Sequence, residues 1–289
     1  MNFVRDSDRS RRAGRSQKEA KITLILPRLG APGSAWPVQI GTLWHSAWVV
    51  ENVLQKFCKQ IFALTDDPQF PYCLVGSGTA IKIAGRHFVF CCRHQIHEYT
   101  PDKIAIPLSF DTKIMSATTT RALKVTDENR DGDTIDVAAF EFEIEHSNVA
   151  NLTNEFFPIE DARVWPTGAV RMPFMAFGYP SQRQQFDENR IGAKCIEIQA
   201  SYDGGSLSPH LQRMRMQKTL DADGMSGGPV FYIGGAPGNY FAGFAGMLMR
   251  GGSDANYLHF MSAGFMIDLT LNHRQHLGLE SPELWSQVG

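Results

Sequence analysis

Between residues 72 and 267 the chain repeats one pattern ten times: a short apolar run, then a cluster of small or charged residues. The runs are Tyr72–Ile83, His87–Cys92, Ala122–Val125, Asp136–Glu143, Val170–Phe177, Lys194–Ala200, Gln212–Thr219, Pro229–Ile233, Phe241–Met249 and Tyr257–Ile267. Short apolar runs bounded by turn residues read as strands. Ala84-Gly85-Arg86, Asp131-Gly132-Asp133 and Asp203-Gly204-Gly205 supply turns between them. So many strands with few helices between them predict antiparallel barrels or a sandwich. The 26 glycines and 15 prolines suit a loop-rich β protein.

Upstream the spacing changes. Trp44, Ala47, Trp48, Val50, Leu54, Phe57 and Ile61 recur near the helical period, which predicts an amphipathic helix from Thr42 to Ala63. A final helix is expected from Ile267 to His276. Residues 1–21 hold seven Lys or Arg against three acids and little to bury, so they read as a disordered basic tail. A segment rich in Pro and Gly follows, from Pro27 to Pro37.

The formal net charge of -2 provides no global field for nucleic acid. No run of about 18 apolar residues predicts a membrane span. The basic start is not followed by the apolar stretch of a secretory signal. Five cysteines, two of them adjacent, form no paired framework. A cytoplasmic location is expected, because reducing compartments do without such frameworks.

The most specific string is Asp223-Gly224-Met225-Ser226-Gly227-Gly228-Pro229-Val230. A nucleophilic serine needs its hydroxyl on a tight turn with backbone N–H groups free for an oxyanion, and glycines permit that turn. Gly224 and Ser226 would supply the two donors. Phe88-Val89-Phe90-Cys91-Cys92-Arg93-His94 puts a histidine just after an apolar strand, and Asp133-Thr134-Ile135-Asp136-Val137 puts an aspartate at the mouth of another. Serine attacks only when a histidine takes its proton, and a carboxylate must hold that imidazole in one tautomer. His94, Asp136 and Ser226 are therefore the candidate catalytic residues.

Over roughly residues 70–270 the sequence resembles the chymotrypsin-like serine proteases, especially bacterial members without disulfides. The likeness rests on Gly76-Ser77-Gly78-Thr79-Ala80-Ile81, the stretch ending in His94, Asp136-Val137-Ala138, Phe177-Gly178-Tyr179-Pro180, and Gly224-Met225-Ser226-Gly227-Gly228-Pro229. The order His, Asp, Ser also matches, with gaps of 42 and 90 residues. The resemblance implies an all-β fold of two six-stranded antiparallel barrels, with an N-terminal helix and a short C-terminal one. It divides the chain into a basic segment at 1–41, a helix and linker at 42–69, and a protease domain at 70–289. Barrel one would cover about 70–165 and barrel two about 166–270, with the site between them. It further implies peptide-bond hydrolysis through an acyl-enzyme, a peptide or protein substrate, no cofactor, and no nucleic-acid or membrane partner. Leu220 falls where the family sets primary specificity and favours small or apolar side chains. Gly246 and Met247 fall where substrate backbone pairs. The N-terminal segment is open to a regulatory partner.

Three other readings bear on the same residues. Gly224-Met225-Ser226-Gly227-Gly228 also fits the nucleophile elbow of α/β-hydrolases, with Asp254 or Asp268 and His259, His273 or His276 downstream. Yet the strand-like run after Ser226 contradicts the helix that elbow requires. His87, Cys91, Cys92, His94 and His97 crowd together in the manner of zinc ligands, but neighbours on a strand face opposite sides. The third is a catalytically silent protease-like domain that binds peptides or a protein partner. His45, His146, His210 and His259 read as structural.

Overall fold

The computed structural model describes residues 36–109, 115–116, 121–124, 132–142, 144, 152–159, 163–166, 172–187, 190–206, 208–251 and 256–271. The basic tail, most of the Pro- and Gly-rich segment, Asp131, His146, Asp254, His273 and His276 lie outside the described residues.

β1 (Val38–Ile40) and β2 (Leu43–His45) form a hairpin, and α1 (Val50–Gln55) follows one 3-10 turn later. The first barrel comprises β3 (Cys58–Leu64), β4 (Tyr72–Ile83), β5 (Arg86–Cys92), β6 (Ile104–Ile106), β7 (Met115–Ser116), β8 (Arg121–Lys124) and β9 (Val137–Phe142). A short α2 (Gly132–Ile135) leads into β9, and β10 (Phe157–Pro158) lies parallel to β4. The strands run β7-β6-β3-β4-β5-β9-β8, a curled sheet with no closing pair among the described residues.

The second barrel takes β11 (Pro173–Gly178), then a separate hairpin of β12 (Gln184–Asp187) and β13 (Arg190–Ala193). It continues with β14 (Ile196–Gly205), β15 (Leu211–Met216), β16 (Pro229–Ala236), β17 (Asn239–Gly251) and β18 (Tyr257–Ser262). Six strands run β16-β11-β14-β15-β18-β17, and β17 returns to β16 to close the barrel. β1 joins β17 in parallel, so the N-terminal hairpin belongs to the second sheet. α3 (Ala263–Leu271) caps the fold, starting four residues before the expected helix.

The long helix expected from Thr42 to Ala63 is corrected to a hairpin, the six-residue α1, and β3. The reason lies in β3, whose two faces pack into different cores. Phe62 faces one apolar cluster while Ile61 and Ala63 face another. Burial on both sides removes the polar alternation that marks a half-exposed strand. Trp44 and Trp48, expected on the buried stripe, are each more than half exposed. Through its pairing with β4 and β6, β3 places the start of the first sheet at Cys58. Asp203-Gly204-Gly205, expected as a turn, is a bulge inside β14, with Gly204 at a φ of 99°.

Three apolar clusters hold the molecule. One fills the first barrel around Ile61, Val89 and Phe140; another fills the second around Trp165, Phe174 and Phe260. The third lies between the barrels, where Phe57 and Phe157 meet Phe231, and Phe231 meets Phe177 and Phe244. Strand ends from both barrels converge beside this third cluster.

Candidate active site

β5 is buried through Cys92 and ends in a 3-10 turn, Arg93–Gln95, which lifts His94 to the surface. α2 delivers Asp136 beside it. The Asp136 carbonyl accepts the Arg93 N–H at 2.7 Å. Its carboxylate accepts the His94 backbone N–H at 2.7 Å through one oxygen and the ring Nδ1–H at 2.7 Å through the other. Three bonds from one residue thus fix the histidine's backbone, its ring plane and its tautomer. With the proton on Nδ1, the Nε2 lone pair points away from Asp136. The imidazole's pKa is raised, chiefly by the Asp136 hydrogen bond and charge, with partial burial opposing and Asp223 adding a smaller rise.

Ser226 stands on a turn built by glycine. Gly224 and Gly227 have φ values of 82° and 84°, a region that side chains disfavour. Met225 is fully buried and anchors the turn against Gly178. The turn's carbonyls are held from the first barrel. Ser77 Oγ donates to Gly224 O at 3.0 Å, the Ser77 N–H to Ser226 O at 3.3 Å, and Thr79 Oγ1 to Gly227 O at 2.7 Å. Ser77 and Thr79 are fully buried. From the second barrel, Leu248 O accepts the Gly227 N–H at 2.7 Å. Among the described residues, no protein acceptor takes the N–H of Gly224 or Ser226. Two donors are left for a ligand.

His94, Gly224 and Ser226 line one concavity of about 320 Å³, together with Asp223 and Ser181. Among the described residues no direct hydrogen bond joins Ser226 Oγ to His94. A wider concavity of about 730 Å³ opens on the other side of His94, walled by Arg93, His97, Asp133, Asp136, Met249 and Arg250. Arg250 pairs with Asp133 at 2.9 Å, which links β17 to α2.

Leu220, Gly246 and Met247 do not line these two concavities. Met247 is fully buried and pairs with Met261 in the sheet. A side chain at Gly246 would strike the Met261 carbonyl. Leu220 packs against the second-barrel core. The β17 residues that reach the open side are Met249 and Arg250, a few positions further along the strand.

Cys92 Sγ lies within 4.8 Å of the His94 and Asp136 donor atoms. Burial and the nearby carboxylates raise its thiol pKa, and Sγ donates to Leu248 O at 3.4 Å. Nδ1 of His94 is already committed to Asp136, so the three do not form a ready ligand set. His87 is buried and bonds Thr153 at 2.8 Å, and Cys91 packs in the first-barrel core.

These features compose the chymotrypsin-like two-barrel architecture. No protein-family model matches the chain, and no curated protein matches its sequence. Solved structures resemble it at low identity. A scabies mite inactivated protease paralogue shares 13% identity at a TM-score of 0.49, covering 77% of this chain and 96% of that one. A thermostable serine protease, AL20, from an extremophilic microorganism shares 18% at 0.45, covering 73% and 92%. The tobacco vein mottling virus protease shares 10% at 0.42, covering 79% and 86%.

Proposed function

We propose that the chain is a serine endopeptidase that cleaves peptide bonds through an acyl-enzyme. One observation carries this reading: a histidine oriented by an aspartate opens onto the same concavity as a serine flanked by two uncommitted N–H donors. In this reading His94 Nε2 takes the Ser226 hydroxyl proton as Oγ bonds the substrate carbonyl carbon. The N–H groups of Gly224 and Ser226 hold the oxyanion. Collapse breaks the C–N bond, and the proton passes from Nε2 to the leaving amine. Water then repeats the sequence on the ester. No cofactor enters these steps, and the substrate is a peptide or protein. A reducing, cytoplasmic setting belongs to the same proposal, supported by five unpaired cysteines, four of them buried.

The missing Ser226–His94 hydrogen bond favours a second reading, a silent domain that binds peptides. Labelling with a fluorophosphonate separates the two, because phosphorus captures Oγ only when His94 accepts its proton. The expected outcome is strong labelling of the native protein and none of Ser226→Ala or His94→Ala. Absence of labelling in the native protein would overturn the enzyme reading.

A further inference from the structure

We propose that Gln95 is a positioning residue whose single side-chain amide ties the His94 turn to the Ser226 turn; this rests on the catalytic reading above. Gln95 directly follows His94 in the 3-10 turn. Its Oε1 accepts the Cys92 N–H at 3.0 Å, closing the histidine turn. Its Nε2 donates to Ser226 O at 2.6 Å, across the boundary between the barrels. The two partners allow only one orientation of the amide, since Cys92 offers a donor and Ser226 an acceptor.

The surrounding sequence makes room for this group. A Cβ at Gly76 would lie 1.9 Å from Gln95 Nε2, and one at Gly227 would lie 3.1 Å from Oε1. Two glycines on different barrels thus border the amide. Ser77 and Thr79 also hold carbonyls of the serine turn, but Gln95 alone among the three touches both turns. Among the described residues Ser226 O has one other donor, the Ser77 N–H, at the longer distance of 3.3 Å. Holding that carbonyl fixes the backbone on which both Oγ and the oxyanion donor of Ser226 are mounted. Misplacement of reacting groups by about 1 Å costs on the order of a hundredfold in rate, so the tether acts on catalysis without touching the reacting bond.

Gln95→Met keeps the length and removes both polar atoms; Gln95→Glu keeps the shape and, once ionised, turns the donor into an acceptor facing Ser226 O. The rate of fluorophosphonate inactivation is measured from pH 5 to 10 for each folded variant and the native protein. Gln95→Met is expected to be slower by about 10- to 100-fold. Gln95→Glu is expected to be slower than native wherever the carboxylate is ionised, because only its protonated form donates to Ser226 O. A native rate in Gln95→Met, or a native rate in Gln95→Glu across the whole pH range, overturns the tether. A native protein that does not label refutes the catalytic reading, and amide hydrogen exchange then decides the tether by itself. Faster exchange at both Cys92 and Gly227 in Gln95→Met supports it; faster exchange at Cys92 alone reduces Gln95 to a local cap and overturns it.

Discussion

In the proposed reaction the role of His94 turns on which ring nitrogen carries the proton and at what pH the second one leaves. The Asp136 carboxylate raises the imidazole pKa above its ordinary 6.5, so the neutral base forms only at higher pH. Activity and this piece of stability therefore slope in opposite directions. A raised folded-state pKa gives stability that is complete below the unfolded value and lost as pH climbs through the folded one. The inactivation rate is expected to rise with a midpoint above 6.5. Asp136→Asn is expected to bring that midpoint down and to cut the plateau by about four orders of magnitude, because the ring then takes the wrong tautomer. A midpoint at or below 6.5 in the native protein contradicts this. His94, Asp136 and Ser226 were legible because each sits at a strand end beside a recognisable string. Gln95 was not, since a glutamine after a histidine carries no sequence signal until a carbonyl from a residue 131 positions away reaches it.

At the scale of elements, α1 and β14 meet through carboxylates that the sequence separates widely. Glu197 on β14 has its pKa pushed up to about 7, first by burial and then by the charge of Glu51 on α1. Its Oε1 is buried with no hydrogen-bond partner. The folded state therefore holds the proton more tightly than the unfolded chain does. The associated stability is present near pH 4.5 and lost as pH rises through about 7. Glu197→Gln is expected to raise the melting temperature at pH 8 and to change it little at pH 4.5; an equal effect at both values refutes the cause given. α1 itself was partly legible, for Val50 and Leu54 are buried as the helical spacing requires. Its end was not. Nothing local distinguishes Phe57–Ile61 as helix from the same residues as strand, and pairing of β3 with β4 and β6 decides the matter.

Across the whole molecule, the aromatic cluster between the barrels couples their stabilities. Phe231 on β16 touches Phe57 and Phe157 from the first barrel's side and Phe177 and Phe244 from the second. It is fully buried. Phe231→Ala is expected to cost about 3–5 kcal/mol, and both barrels should still unfold in one transition at lower denaturant. Two separated transitions in the native protein would mean that the barrels stand independently.

The all-β class, the strand-rich span from β4 to β18, and the three catalytic candidates followed from local pattern alone, because short apolar runs and glycine turns act over a few residues. The membership of β1, β2 and β3 in the sheets did not. Each depends on which distant strand supplies the hydrogen bonds and which core lies opposite. A residue's own neighbours in the chain carry no record of that choice.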